Sequence, residues 1–162
     1  VNLVVNGSFE EGPPVNGYLP VDKGSTTIKG WEVTRGQIDY IGAYWQAAEG
    51  QHSLDMHGSP GYGGIQQKLK TKKGQRYEVI FSLSGTPSGN PLEKILGVRA
   101  GEEKKSFTFD AKGITNENMG WKTQKWQFTA TGDETILEFY TLETTDTNCG
   151  PALDNVSVFA VR

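Results

Sequence analysis

The sequence predicts an all-β domain, a two-sheet antiparallel β-sandwich of the jelly-roll type. Apolar and polar residues alternate along many short segments, which is the period-two pattern of half-buried strands. Turn-forming residues (Gly, Pro, Asn and Asp) separate these segments, and no segment has the 3.6-residue periodicity of an amphipathic helix. About ten short strands of this kind are typical of two packed sheets.

The expected strands follow one another along the whole chain. The first is in the opening segment Asn2–Glu10, and a second pair comprises Ile38–Gly42 and the stretch from Gln51 to Gly58. In the segment from Arg76 to Ser84, alternate residues are large and apolar, so they are expected to share one face. The same alternation predicts further strands around Phe107 and Phe109, Trp126 and Phe128, Leu137 and Phe139, and Val156 and Val158. Turn signals between them include Lys73-Gly74, Ala100-Gly101 and Thr131-Gly132-Asp133.

Composition restricts the class of protein. The 162 residues fit one domain spanning 1–162, with no shift in charge or Gly/Pro content that would mark a boundary. The net charge is −3 and no basic stripe is interleaved with aromatic residues, so nucleic acid is not an expected partner. No apolar stretch approaches the roughly 18 residues that span a bilayer, so membrane insertion is not expected. The single cysteine, Cys149, excludes an internal disulfide framework and a Cys-rich zinc site.

Two carboxylates near the chain ends form a candidate metal site. Asp154 lies in the same alternation phase as Val156 and Val158, which predicts that it points toward the core. A buried carboxylate needs hydrogen bonds or a cation, and Glu10 is expected to meet it if the terminal strands lie together. Hard oxygen ligands of this kind suit Ca²⁺. The alternative is that Asp154 accepts backbone N–H bonds and holds no metal.

A second group of residues has the chemistry of a sugar site. Aromatic rings stack on the apolar face of a pyranose, and carboxylate, imidazole or amide groups bind its hydroxyls. The candidate ligand-binding residues that supply these groups are Tyr44, Trp45, Asp55, His57, Tyr62 and Asn148. The alternative is structural: Trp45 closes one end of the sandwich, and the polar row of Ser53, Asp55 and His57 faces water.

Catalysis has little support in the sequence. Asp39, Glu49 and Asp55 are candidate acids, but nothing in the sequence marks any two of them as a pair facing each other across a cleft. No nucleophile elbow, phosphate-binding loop or H-E-x-x-H motif is present. We therefore expect a binding module and no enzyme. The alternatives are a structural or adhesive surface domain that binds protein, and a polysaccharide lyase or hydrolase.

Several segments together resemble one family. They are the opening Asn2–Glu10 with Gly12, the Gly30–Val33 step, Ile38–Gly42, Tyr44–Ala48 and the closing Gly150–Val158. The sequence resembles the bacterial "choice-of-anchor C" domain and the DUF642 proteins of plant cell walls. Both are similar to galactose-binding-like jelly rolls, including carbohydrate-binding module families 4, 9 and 22.

The resemblance carries expectations about fold, location and ligands. It implies a galactose-binding-like sandwich, secreted or on the cell surface, that binds a polysaccharide or oligosaccharide. It also implies a structural Ca²⁺, with Glu10 and Asp154 at the positions of the family's metal ligands. Such domains also occur within larger secreted enzymes or surface proteins, and the absence of an initiator Met and of a signal peptide predicts a mature or trimmed chain.

Overall fold

The protein is an all-β sandwich, as the alternation predicts. The computed structural model describes residues 1–58, 61–143 and 149–162. Within those ranges the chain forms eleven strands and no helix. The strands are β1 (Tyr18–Asp22), β2 (Glu32–Arg35), β3 (Gln37–Ile41), β4 (Ser53–Asp55), β5 (Gly64–Lys70), β6 (Arg76–Gly85), β7 (Glu93–Ala100), β8 (Glu103–Asp110), β9 (Lys122–Thr129), β10 (Glu134–Thr141) and β11 (Pro151–Ala160). Among the described residues, no helix has the length and apolar composition to cross a bilayer.

The strands form two antiparallel sheets. The six-stranded sheet has the order β1-β3-β4-β11-β6-β9, and the five-stranded sheet has the order β2-β5-β10-β7-β8. A tight turn at Gly101 joins β7 to β8, with Ala100 paired to Glu103. Gly101 has a φ of 61°, a left-handed conformation that costs glycine least, so the Ala100-Gly101 turn signal is confirmed.

The core lies between the inner faces of the two sheets. The alternation along β6 is confirmed: its large residues Tyr77, Val79, Phe81 and Leu83 are buried in the core. Phe81 meets Phe107 and Phe139 of the opposite sheet edge to face, with ring centroids 5.1 and 5.3 Å apart. Such edge-to-face contacts add to the stabilisation that comes from the buried apolar area.

Two details of the predicted strands are wrong. The opening segment Asn2–Glu10 is not a strand, although Leu3 donates a backbone hydrogen bond to the carbonyl of Val158 in β11. In β11 the register shifts between Asp154 and Ser157, and Asn155 takes a left-handed φ of 50°. This bulge inserts one residue, so Asp154 and Val156 lie on opposite faces and Asp154 does not point into the core between the sheets.

Part of the outer face of the six-stranded sheet is also covered. A second apolar cluster there contains Ile41, Trp45, Met119 and Ala152, with Ile114 and Trp121 packed against it. The residues come from the sheet itself and from the segments that follow β3 and β8. Because these segments cover one end of the outer face, they bury residues that simple alternation would place in water.

Candidate functional site

Asp39 and Asp55 form a carboxylate pair on the outer face of the six-stranded sheet. They lie directly opposite each other in the antiparallel pairing of β3 with β4. Side chains at such positions share a face, with Cβ atoms about 4.5–5.5 Å apart. The residues flanking them in sequence, Ile38, Tyr40 and Leu54, point into the core instead. The register of two short strands therefore creates the acidic pair.

Asp55 is the more deeply buried member of the pair, with 4% of its surface exposed. The backbone N–H of His57 donates to Oδ1 at 3.0 Å, and the Thr86 hydroxyl donates to Oδ2 at 3.4 Å. Burial raises the pKa of Asp55 well above its usual value, and the nearby charge of Asp39 adds to the effect. The His57 and Thr86 hydrogen bonds and the charge of Lys94 act in the opposite direction.

Asp39 has acceptor capacity that the described residues do not use. Its Oδ1 atom is buried and has no hydrogen-bond partner among the described residues. Burial raises the pKa of Asp39 from 3.8 to about 6. A buried acceptor without a partner is costly, so a ligand hydroxyl that donates to this oxygen would recover that cost.

Two tyrosines flank the carboxylate pair. Tyr18 and Tyr44 are 53% and 46% exposed, and their rings meet edge to face at 5.2 Å. Backbone hydrogen bonds from Gly42 to the Gly17 carbonyl and from Ala43 to that of Asn16 hold the two tyrosine-bearing segments together. Together with the acids they enclose a cavity of about 300 Å³, lined by Tyr18, Pro20, Asp39, Ile41, Tyr44, Asp55 and Thr86. We call it the Asp39–Asp55 cavity.

The structure describes five of the six predicted ligand-binding residues. They lie in three places: the Asp39–Asp55 cavity, the contact between His57 and Tyr62, and the second apolar cluster. Tyr44 and Asp55 line the Asp39–Asp55 cavity. His57 is fully buried and Tyr62 is 42% exposed. Their ring centroids are 5.1 Å apart, and the two residues pair in an isolated β-bridge just after β4. Asn148 lies outside the described residues. The polar row of β4 does not face water, because Ser53, Asp55 and His57 are all buried.

Trp45 is a core residue in this structure. Only 4% of its surface is exposed, and its Nε1 donates to the Ser53 hydroxyl at 2.7 Å. The indole packs in the second apolar cluster with Ile41 and Met119. Its faces are therefore covered by protein and are not available for stacking on a sugar, so the structure supports the structural alternative for this residue.

Sequence reasoning missed part of the cavity. The sequence does not mark Tyr18, Pro20 and Thr86 as ligand-binding residues, and it marks Asp39 only as an unpaired acid. Strand pairing is the signal that brings them together: Tyr18 pairs with Ile41, and Pro20 with Asp39. Alternation identifies the face of each residue, but it does not say which strands are neighbours.

Glu10 and Asp154, the predicted metal ligands, bind the same loop. Asp154 Oδ2 accepts the backbone N–H groups of Ala48 and Glu49, both at 2.9 Å, and its Oδ1 accepts that of Asn155 at 2.7 Å. Glu10 accepts the N–H groups of Gln51 and His52 at 2.8 and 2.9 Å. Burial, with a smaller contribution from the charge of Glu10, raises the pKa of Asp154 to about 7, against the effect of its backbone hydrogen bonds. The two carboxylates therefore lie close enough to interact.

The donor set suits a hard cation but is not complete by itself. A carboxylate oxygen has two lone pairs, so both Glu10 oxygens and Asp154 Oδ1 can each accept one more partner. Ca²⁺ takes six to eight oxygen ligands, so further oxygens would have to come from backbone carbonyls or water. No group of three or more His, Cys, Asp or Glu side chains suited to a metal occurs among the described residues.

Comparison with known sequences identifies relatives over almost the whole chain. A family model described as "Protein of unknown function (DUF642)" matches residues 2–159. Halomucin of Haloquadratum walsbyi is 32% identical over 97% of this chain, and the match spans 2% of halomucin. Protein TEEBE of Arabidopsis thaliana is 29% identical over 99% of this chain and 46% of its own length. The chain thus spans less than half the length of these curated relatives.

Several solved structures with the same fold are carbohydrate-binding modules. TmCBM61 in complex with β-1,4-galactotriose matches with a TM-score of 0.65 and 14% identity, over 99% of both chains. A family 4 module, CBM4, matches with a TM-score of 0.53 and 16% identity over 98% of this chain and 99% of its own. The CBM22-1 xylan-binding domain from Paenibacillus barcinonensis Xyn10C has a TM-score of 0.56 at 16% identity, covering 89% of this chain and 94% of its own. The predicted resemblance to DUF642 is confirmed by the family model, and the resemblance to module families 4 and 22 is confirmed at the level of fold.

Proposed function

This chain belongs to the DUF642 family, and from its carbohydrate-binding-module fold and the Asp39–Asp55 cavity we propose that it is a non-catalytic module that binds polysaccharide. The observation that carries the proposal is the cavity itself. It combines exposed tyrosine rings with the carboxylate of Asp39, whose Oδ1 has no hydrogen-bond partner among the described residues. Sugar-binding sites need this combination of an apolar ring surface and fixed polar groups.

The arrangement has a simple mode of binding. One sugar residue enters between Tyr18 and Tyr44, with the apolar face of its ring against one or both aromatic rings. Its hydroxyl groups donate to the carboxylate of Asp39, which is the less buried of the two acids. Because only one sugar residue enters the cavity, the rest of the glycan stays in water, so affinity for a short oligosaccharide is expected to be modest.

The position of the two acids favours binding over cleavage. Asp39 and Asp55 project from neighbouring strands of one sheet, so they approach a ligand from the same side. Hydrolysis requires two carboxyl groups that flank the scissile bond, one as acid and the other as nucleophile or base. An assay for reducing ends and unsaturated products on the glycans that bind tests this part of the proposal, and we expect no product.

We further propose that Glu10 and Asp154 hold a structural Ca²⁺ between the loop 47–52 and β11. The ion would supply positive charge between two carboxylates that otherwise repel each other, and it would fix the loop that follows Trp45. The support is the hard oxygen character of both groups and their shared contact with this loop. From the polysaccharide-binding role we also propose a secreted or cell-surface location, and from the greater length of the curated relatives we propose a larger parent protein.

Glycan binding is the decisive test. The domain is titrated by calorimetry against soluble β-1,4-galactan, xylan and β-1,4-glucan. Binding to at least one is expected, with a loss of about tenfold or more in affinity for Tyr44→Ala, because burying a large apolar side chain is worth about 1.5–3 kcal/mol. Phe159→Ala is the matched control, since Phe159 is 38% exposed but lies near the opposite end of β11. Equal losses in both variants would contradict the site, and no binding to any glycan would contradict the function.

A further inference from the structure

The charge of the Asp39–Asp55 cavity indicates which sugars it accepts. Its floor consists of two carboxylates, and its remaining lining residues are uncharged at neutral pH. No lysine or arginine lines it among the described residues, and residues 59–60 and 144–148 contain neither residue type. Any ligand in the cavity therefore meets negative charge that no cationic side chain of the lining offsets.

Among the described residues, one cation influences the cavity, but other groups hold its charged end. Lys94, from β7 of the other sheet, is fully buried and influences Asp55. Its Nζ donates to the backbone carbonyls of Pro91 and Cys149, so it is held by the segments next to the cavity and does not reach into it. Burial raises the pKa of Asp39, and no cation in the described part of the chain contributes to that shift.

We propose that the Asp39–Asp55 cavity selects neutral sugar residues and rejects uronic acids. This inference rests on the proposed function and names the ligand class of the same site. A neutral sugar offers hydroxyl donors, which are the complement that two acceptor carboxylates require. A uronate brings a third carboxylate into the same partly buried space, where like charges repel strongly because solvent screening is weak.

The test uses matched glycans that differ only at C6, where a carboxylate replaces the hydroxymethyl group. Soluble β-1,4-galacto-oligosaccharides and β-1,4-gluco-oligosaccharides are compared with the same oligosaccharides oxidised to uronates at C6, in a calcium-containing buffer at neutral pH. We expect each neutral glycan that binds to do so about tenfold or more tightly than its oxidised partner. Calcium is present throughout, so a uronate bridged to the two acids by a metal ion would be detected as tight binding.

Asp39→Asn separates charge from shape. Asparagine keeps the acceptor oxygen and the side-chain volume but removes one negative charge, so the preference for neutral glycans is expected to narrow to about threefold or less. Asp133→Asn, in the exposed turn before β10, changes net charge equally and is expected to leave the preference unaltered. A thermal melt of each variant confirms that it is folded.

The outcomes distinguish this inference from the proposed function. Oxidised glycans that bind as tightly as, or more tightly than, their neutral partners would overturn charge selection while the carbohydrate-binding function stands. A neutral preference that Asp39→Asn and Asp133→Asn leave equally intact would overturn the assignment to this cavity. Binding to none of the four glycans and to no xylan would overturn the proposed function, and with it this inference.

Discussion

Asp39 of β3 and Asp55 of β4 are direct cross-strand neighbours on the outer face of the six-stranded sheet. Like charges directly opposite each other destabilise a sheet, and burial of these two acids increases the cost. Proteins retain such arrangements mainly where perturbed groups have a function. This acidic pair lies beneath two exposed tyrosines, and for that reason we assign the ligand site to it. His57 is fully buried and is not assigned to the site.

We predict that Asp39 makes stability fall as pH rises from about 4 to about 6. The folded-state pKa of Asp39 is raised to about 6 from 3.8. Below both values the group is protonated in both states and contributes nothing; above both, the folded state carries an ionised group that it disfavours. The linked cost at neutral pH is about 3 kcal/mol. Asp39→Asn should therefore be more stable than wild type at pH 7 and close to it at pH 3.5, measured by urea unfolding. A difference that does not change with pH would contradict the prediction.

Trp45→Ala is expected to act on stability. The side chain is 4% exposed and lies in the second apolar cluster, so its removal leaves a cavity beneath the loop 42–52. Truncation of a buried Trp typically costs about 3–5 kcal/mol. Trp45→Phe keeps most of the packing and loses only the hydrogen bond to Ser53, for about 1 kcal/mol. Denaturant midpoints measure both. A Trp45→Ala variant with wild-type stability and no glycan binding would return Trp45 to the ligand site.

Tyr62→Ala tests whether the ligand lies in the Asp39–Asp55 cavity or at the neighbouring contact between His57 and Tyr62. Tyr62 is about as exposed as Tyr44 but does not line the Asp39–Asp55 cavity. If the ligand lies in the cavity, Tyr62→Ala should change glycan affinity less than about twofold, against the tenfold loss for Tyr44→Ala. Calorimetric titration with the same glycan compares the two. A larger loss of affinity for Tyr62→Ala than for Tyr44→Ala would place the ligand at the contact between His57 and Tyr62.

Glu138→Gln is expected to destabilise the five-stranded sheet strongly. Glu138 is 3% exposed, and it accepts hydrogen bonds from Arg35, Arg99 and the Thr34 hydroxyl. Burial alone would raise its pKa, but the hydrogen bonds from Arg35 and Thr34 and the charge of Arg35 outweigh it, so the pKa lies below 4.5. The Arg35 and Arg99 side chains that pair with it are 46% and 28% exposed, so loss of the Glu138 charge is expected to cost about 1.5–3 kcal/mol, less than in a fully buried network.

Glu134→Gln on the same strand is the control for Glu138. The Glu134–Lys68 pair is 3.9 Å long and both side chains are mostly exposed, so its loss should cost less than about 1 kcal/mol. Because the pKa of Glu138 is depressed, its contribution is present above the unfolded-state pKa and is lost as pH falls through the folded-state value. Urea unfolding at pH 7 and pH 3 should show the Glu138→Gln penalty shrinking at the lower pH. Equal penalties for the two variants would contradict the prediction.

Calcium is expected to raise the melting temperature. An ion that binds only the folded state stabilises it by mass action, by about 2.7 kcal/mol at one hundred times its dissociation constant. Thermal melts in calcium and in EDTA should differ for wild type and for Glu11→Gln, whose exposed carboxylate pairs with Lys29. The difference should disappear in Glu10→Gln. Identical melts of wild type in calcium and EDTA would show that backbone N–H groups alone satisfy Glu10 and Asp154.

The sequence alone determined the class of fold and the face of most strand residues. Side chains alternate across a strand regardless of its neighbours, so the apolar rows of β6 and the core positions of Leu54 and Met56 follow from spacing. Turn residues mark the strand ends for an equally local reason, since glycine at Gly101 takes a conformation that other residues adopt only at a cost.

Only the tertiary structure decided the composition of the site. Which strands are neighbours, and in what register, depends on contacts between residues far apart in the chain, and a shift of one residue reverses every side chain. The pairing of β3 with β4 made a pair of Asp39 and Asp55, and the bulge at Asn155 turned Asp154 away from the core. The loop that covers the outer face buried Trp45, because a residue's exposure is set by what packs over it and not by its own alternation.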